Sequence, residues 1–115
     1  MARVQVLVWS CLVGLALAPL EGRSSTAAPD RAHVSRAVTI ENMEFTPSQL
    51  TVHAGDRVVF SNKDLFPHTV TADDGSFDSH SIAPNATWTY RPKQAGPHAY
   101  KCSFHPTMTG KIIVQ

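Results

Sequence analysis

Three side chains that can bind a soft metal ion lie within seven residues near the C-terminus. Cys102, His105 and Met108 follow the spacing Cys-x-x-His-x-x-Met. A thiolate, an imidazole and a thioether are soft or borderline donors, and a loop this short can bring all three around one centre. His68, at the entrance to another predicted strand, offers a second imidazole. Two histidine nitrogens, one cysteine sulfur and a weak methionine sulfur are the ligand set of a blue-copper site.

Each of these ligand types has a simpler interpretation when it is taken alone. A single cysteine in a β core is usually a small buried hydrophobe, and a methionine usually fills core space. Zinc would accept the cysteine and the histidines, but methionine is an unusual fourth ligand for it. A Cys–His hydrolase needs a general base and an oxyanion hole beside the thiolate. Because Cys102 is predicted to lie on a strand and no Gly-rich loop supplies backbone donors, we expect metal binding and no enzymatic activity.

The N-terminus has the layout of a secretory signal peptide. One early charge, Arg3, precedes an apolar run from Val4 to Ala18 that contains only two polar residues. That layout is typical of an export signal, and the run is shorter than the roughly 20 apolar residues of a membrane-spanning helix. We therefore expect export to the periplasm or another extracytoplasmic space, without stable membrane insertion. The cleavage site stays open, because Pro19 follows the small residues at 16–18 and a second candidate lies at 24–28.

Removal of the signal peptide changes the number of cysteines and of charged residues in the chain. Taking residues 1–28 as signal peptide and leader leaves 87 residues, 29–115, which is room for one small domain. Cys11 leaves with the signal, so that Cys102 stands alone and an internal disulfide is excluded. Small exported domains often depend on disulfides or a metal, and we therefore predict a metal. The eight basic and eight acidic residues that remain offer no basic surface for nucleic acid.

Short runs of alternating or β-branched apolar residues fill the mature chain, and Pro, Gly, Asn and Asp separate them. No helical periodicity is visible past the signal. The predicted strands are Val38–Ile40, Leu50–Val52, Arg57–Phe60, His68–Thr71, Ala86–Tyr90, a strand with Tyr100 and Cys102, and Lys111–Val114. About seven short strands at this spacing predict an all-β fold, a Greek-key antiparallel β-sandwich that forms one domain over residues 29–115.

The segment from Val38 to Val114 resembles the plastocyanin-like cupredoxins, which are type 1 blue copper proteins. The supporting segments are Glu44–Pro47, Val52–Gly55, Phe66–Val70, Phe77–Ser79 and Cys102–Gly110. The last is the most specific, because the two residues between His105 and Met108 resemble the short ligand loop of amicyanin-like members. The resemblance implies one copper ion, with His68, Cys102 and His105 as equatorial ligands and Met108 as the axial ligand.

One residue beside these ligands departs from the family pattern. Many members have asparagine directly after the first histidine ligand, where its amide ties the two ligand loops together. Here that residue is Thr69, whose hydroxyl can bond to the backbone across the site or to Ser103. This link and redox tuning through it are hypotheses.

The resemblance implies a carrier of single electrons that cycles between Cu(I) and Cu(II). It also implies a redox partner, such as a c-type cytochrome or a dehydrogenase, that docks near His105 at an apolar surface. That surface is expected from Phe66, Pro67, Pro84 and Pro106, and a monomer that meets its partner briefly needs only a small interface. A copper carrier or buffer of the cell envelope stays open as the alternative. Such proteins tend to use several methionines or histidines in open positions, whereas this chain has three methionines in total.

The other histidines are interpreted as structural or solvated residues. His33 lies in the leader, His53 beside a turn and His80 in a loop. His98 precedes Tyr100 by two residues, so both are expected on one face of their strand. We expect none of the four to bind the metal.

Overall fold

The computed structural model describes residues 5, 10, 11, 13–19, 22 and 31–115, and residues 31–115 form the folded unit. The predicted signal peptide and leader, residues 1–28, lie mostly outside the described residues. Among the residues that are described, no helix has the length and apolar character needed to cross a membrane.

The folded unit is built from strands joined by short turns. The strands are β1 (Ser35–Glu41), β2 (Glu44–Thr46), β3 (Gln49–Val52), β4 (Arg57–Asn62), β5 (Thr71–Ala72), β6 (Thr87–Tyr90), β7 (Gly96–Lys101) and β8 (Thr109–Val114). The three-residue strand β2 was not predicted, because so short a run shows no alternation. The strand predicted over His68–Thr71 begins only at Thr71, and His68 forms an isolated bridge with Ile82 instead.

The strands form two four-stranded sheets, in the orders β2-β1-β4-β6 and β3-β8-β7-β5. This arrangement confirms the β-sandwich. Four pairs run antiparallel as expected, whereas β1 with β4 and β3 with β8 run parallel. In each parallel pair the intervening chain passes through the other sheet, and parallel neighbours require such a crossover. The alternation of apolar and polar residues along one strand does not show whether the neighbouring strand runs parallel or antiparallel to it.

Aromatic rings from both sheets meet in the core. The Phe45 ring centroid lies 4.9 Å from that of Tyr100, and the Phe60 centroid lies 5.6 Å from it, both in edge-to-face contact. All three side chains are buried, and such pairs contribute about 0.5–1.5 kcal/mol each beyond their area burial. β2, β4 and β7 are thereby fixed together around Tyr100, two residues before Cys102.

Tyr100 also fixes the register of the two strands that flank the C-terminal loop. It pairs with Gly110 across β7 and β8, and its ring lies where a side chain at Gly110 would begin. A residue without a Cβ is therefore required at that point in β8. Because the pairing ends at Lys101 and Thr109, the loop that carries Cys102, His105 and Met108 has both ends held by one antiparallel ladder.

Candidate metal centre

Three of the predicted ligands point at a common centre. The Cys102 Sγ lies 3.6 Å from Nδ1 of His68 and 3.8 Å from Nδ1 of His105. The ring centroids of the two histidines are 5.1 Å apart, and the three ligand atoms lie within 4.8 Å of one another. Cys102 and His68 are fully buried, whereas His105 is partly exposed. No other cluster of at least three His, Cys, Asp or Glu ligands occurs in the described part of the chain.

These separations fit one metal ion. An ion bonded to sulfur at about 2.3 Å and to nitrogen at about 2.0 Å, with angles between tetrahedral and trigonal, places those atoms roughly 3.5–3.7 Å apart. The 3.6 Å separation to His68 falls within this range, and the 3.8 Å separation to His105 lies just above it. Distance alone does not select the metal, since zinc and copper form bonds of similar length. The donor types favour copper, because Met108 is the fourth candidate and thioether sulfur suits copper better than zinc.

The C-terminal ligand loop is closed by its own backbone hydrogen bonds. The N–H of His105 donates to the Cys102 carbonyl at 3.2 Å, and the N–H of Met108 donates to the His105 carbonyl at 2.9 Å. The N–H of Cys102 donates to the Met108 carbonyl at 3.1 Å. Met108 is 4% exposed, so the Cys-x-x-His-x-x-Met spacing forms a compact double turn with Met108 buried beside Cys102.

His68 is held by a separate loop, which a buried asparagine supports. The His68 and Ile82 backbones exchange two hydrogen bonds, of 3.2 and 2.7 Å. The Asn62 side chain, which is fully buried at the end of β4, donates to the Phe66 carbonyl at 2.8 Å and to the Ile82 carbonyl at 2.9 Å. Asn62 therefore fixes both the start of the loop that carries His68 and the segment to which His68 is bridged.

Asp64, which the sequence did not single out, contacts a proposed ligand directly. Its Oδ2 lies 2.8 Å from Nε2 of His68. Burial acts to raise the pKa of Asp64, but hydrogen bonds from the Met43 N–H, from His68 and from the Asn42 N–H outweigh it and lower that pKa. The sequence shows only an acidic residue four positions before a histidine, in a segment that reads as a solvated turn.

Thr69 links the two ligand loops, as hypothesised. Its N–H donates to the Cys102 Sγ at 3.3 Å, and its Oγ1 accepts the N–H of Ser103 at 2.7 Å. The Thr71 hydroxyl lies 3.0 Å from both the Thr69 and the Ser103 hydroxyls, which extends the link at the surface. A threonine hydroxyl thus ties the segment after His68 to the segment after Cys102.

The remaining histidines lie outside this centre. His98 is buried, shares its strand face with Tyr100 and contacts Asp74 Oδ2 and the Gln94 carbonyl. His80 is exposed, and His53 contacts a carboxylate through its backbone N–H. Their positions agree with the structural roles expected from the sequence.

Apolar residues close in the chain to His105, to His68 or to Ile82, which is bridged to His68, are exposed. Phe66 is 60% exposed, and all three prolines predicted for the apolar surface, Pro67, Pro84 and Pro106, are exposed. The structure adds Leu65 and Phe104, which are 88% and 52% exposed. The sequence did not single out Leu65 and Phe104, because an apolar residue close to a ligand can equally well be buried in the core.

Similarity to known proteins agrees with this geometry. A family model described as the cupredoxin-like domain matches residues 10–114. Amicyanin from Paracoccus versutus is 30% identical over 94 residues, which cover 77% of this chain and 71% of that protein. Chloroplastic plastocyanin from Chlamydomonas reinhardtii is 34% identical over 86 residues, which cover 64% of this chain and 59% of that protein.

Solved structures show the same fold. The Cu(I) form of an amicyanin variant matches with a TM-score of 0.67 at 28% identity, over 77% of this chain and 90% of that one. An oxidised amicyanin variant matches with a TM-score of 0.66 at 26% identity, over 70% of this chain and 81% of that one. These matches confirm the resemblance predicted from the sequence. The chain belongs to the cupredoxin-like family and is similar to the amicyanins and plastocyanins within it.

Proposed function

We propose that this chain is an exported type 1 blue copper protein that carries single electrons between redox partners. The observation that carries the proposal is the convergence of a buried thiolate sulfur and two imidazole nitrogens at separations that fit one metal ion. His68, Cys102 and His105 are the proposed equatorial ligands, and Met108 is the proposed axial ligand. Copper, when bound, supplies a one-electron couple between Cu(I) and Cu(II).

The ligands are held by contacts within the protein itself, and this supports electron transfer. His68 is fixed by Ile82 and Asn62, and the C-terminal loop is closed by three backbone hydrogen bonds. The Cys102 Sγ also accepts a hydrogen bond from the N–H of Thr69. A one-electron carrier works fastest when its ligands move little between oxidation states, and residues fixed by packing and hydrogen bonds resist such movement.

The same rigidity argues against the alternative of a copper carrier or buffer. A carrier that must release its ion needs ligands that can open toward solvent, but Cys102, His68 and Met108 are all buried. Of the four proposed ligands only His105 is partly exposed. Copper carriers tend to use several methionines, but besides Met108 this chain has only Met1 and Met43. Met43 lies in the turn between β1 and β2 and is not one of the proposed ligands.

His105 is the proposed edge through which electrons enter or leave, at the surface formed with Phe66, Phe104 and Pro106. All three of these neighbours are exposed. An apolar patch suits a brief encounter with a redox protein such as a c-type cytochrome or a dehydrogenase, since such interfaces are small. We further propose that the chain acts as a monomer in the periplasm or another extracytoplasmic space.

Copper titration of the expressed protein, followed in the visible spectrum, tests the ligand proposal. One equivalent of Cu(II) should produce an intense thiolate-to-copper charge-transfer band. Cys102→Ser should abolish the band while its circular dichroism stays that of a β-sandwich. His80→Ala, at an exposed histidine outside the centre, is the control that should keep the band. A colourless wild-type protein, or a band that survives Cys102→Ser, would refute the proposal.

Electron carriage and copper carriage are separated by a second experiment on the blue protein. Voltammetry should be reversible, and electron exchange between oxidised and reduced protein should be rapid. The ion should also stay bound in the presence of a mild chelator. Prompt loss of copper to the chelator with sluggish, irreversible voltammetry would favour the carrier instead.

A further inference from the structure

Asp64 makes the only ion pair that reaches a proposed ligand from within residues 31–115. Its Oδ2 lies 2.8 Å from Nε2 of His68, whose ring is fully buried, while Nδ1 of the same ring faces the Cys102 Sγ. A carboxylate can only accept a hydrogen bond here. The Nε2 atom must therefore carry a proton, and in the neutral ring this leaves the lone pair on Nδ1 for a metal.

The carboxylate is itself held in place from the other side. The turn between β1 and β2 places Asn42 and Met43 at φ of 54° and 61°, both in the left-handed region. Their N–H groups donate to Asp64 Oδ1 at 2.7 Å and Oδ2 at 3.0 Å. The Asp64 N–H donates to the Asn62 side chain at 3.0 Å. Two backbone donors of an unusual turn thus aim one carboxylate at His68.

The negative charge of Asp64 is not cancelled by a basic side chain. Its side chain is 12% exposed, and among residues 31–115 it forms no ion pair with a lysine or arginine. A charge that is largely shielded from water acts more strongly on its neighbours than a surface charge does. Its field therefore falls on the imidazole of His68 and on whatever ion that ring binds.

We propose that Asp64 is a positioning residue that holds His68 in its Nε2–H tautomer and stabilises Cu(II) more than Cu(I), so that it lowers the reduction potential. The inference rests on the proposed copper function and names a residue that regulates the same site. Hydrogen bonding to a carboxylate makes the imidazole a stronger donor, and this favours the more highly charged ion. The turn between β1 and β2 becomes part of the redox site, although none of its residues is a ligand.

Asp64→Asn tests the inference, because it keeps the shape and removes the charge. Loss of such an outer partner costs about 10- to 100-fold in metal affinity. We expect Cu(II) to lose roughly tenfold more affinity than Cu(I), which raises the potential by about 59 mV for a one-electron couple. The charge-transfer band should persist, since all four proposed ligands remain.

Asp74→Asn is the matched control. Asp74 also pairs with a buried histidine, His98, at 2.9 Å, but that histidine lies four residues before Cys102 in an extended strand, roughly 13 Å away along the chain. The control should keep the wild-type potential. A blue Asp64→Asn protein with an unchanged potential would overturn the inference, and a wild-type protein with no blue band would overturn the proposed function itself.

The tautomer is tested on the wild-type protein, so the inference does not depend on whether the variant folds. Nitrogen-15 NMR of the metal-free protein should show the His68 proton on Nε2, with slow exchange because the ring is buried. A spectrum in which Nε2 of His68 carries no proton would contradict the assignment of Asp64, whatever the variant does.

Discussion

Asn62→Ala should lower the free energy of unfolding of this domain more than most single substitutions do, although Asn62 is not a proposed metal ligand. The Asn62 side chain is fully buried and makes three hydrogen bonds, to the Phe66 and Ile82 carbonyls and from the Asp64 N–H. A typical hydrogen bond contributes about 1 kcal/mol net, and burying its orphaned partner adds to the loss. Three such bonds predict a decrease of about 3 kcal/mol in the free energy of unfolding, which is a large fraction of the stability of a small domain.

Urea denaturation of the metal-free protein measures this loss without a contribution from metal binding. The midpoint should fall while the m-value stays constant, because the surface exposed on unfolding is unchanged. Lys63→Ala is the matched control, since Lys63 is the exposed next residue and its substitution should change stability by less than about 0.5 kcal/mol.

A loss below about 1 kcal/mol for Asn62→Ala at constant m would refute this assignment. It would show that water or a shifted backbone satisfies the freed groups at the start of the loop that carries His68. The copper affinity of the variant supplies a second check. If Asn62 positions His68, affinity should fall along with stability, whereas the Lys63 control should bind as the wild type does.

Three further predictions concern contacts beyond the ligands. The pKa of His98 is raised by hydrogen bonds to the Gln94 carbonyl and to Asp74. Its contribution to the free energy of unfolding is therefore full below its ordinary pKa of 6.5 and is lost as the pH rises through the higher folded value. Asp74→Asn should flatten the loss of stability that urea denaturation detects as the pH rises above 6.5. Gly110→Ala should cost about 1–3 kcal/mol in the same assay, because its methyl group would overlap the Tyr100 ring, and unchanged stability would contradict that packing. Thr69→Val should destabilise the fold by about 1 kcal/mol through the lost bond from the N–H of Ser103, and a reduction potential equal to that of the wild type would reject redox tuning by this hydroxyl.

The C-terminal half of the proposed metal centre could be predicted from the sequence because it is local. Cys102, His105 and Met108 lie in one loop, which is short enough to bring all three around a single point. His68 was added by its position at a strand entrance and by the family resemblance. Its contact with the Cys102 sulfur spans 34 residues, and no periodicity within either segment encodes that distance.

Asp64 and Asn62 were missed for a physical reason. Both lie in a segment of polar residues, Ser61–Asp64, that reads as a solvated turn. The fold buries Asn62 by placing its side chain on the inward face of β4, next to carbonyls from two loops. A polar residue becomes a structural support only when distant backbone groups meet it, and the sequence does not show which groups will.

The sandwich was predictable from alternation, but its pairing was not. Inward and outward residues along β6, with Trp88 and Tyr90 on the more buried face, follow the predicted pattern. The parallel pairing of β1 with β4 depends on a crossover through β3. The short strand β2 pairs with β1 and carries Phe45, which packs against Tyr100. Both features follow from contacts between distant segments.

X-ray absorption at the copper edge of the Cu(II)-loaded protein tests the proposed copper centre most directly, because it counts the atoms bound to the ion. The geometry of Cys102, His68 and His105 predicts one sulfur and two nitrogen neighbours at bonding distance, and Cys102→Ser should remove the sulfur contribution. A wild-type spectrum with only nitrogen and oxygen neighbours would contradict the proposed site.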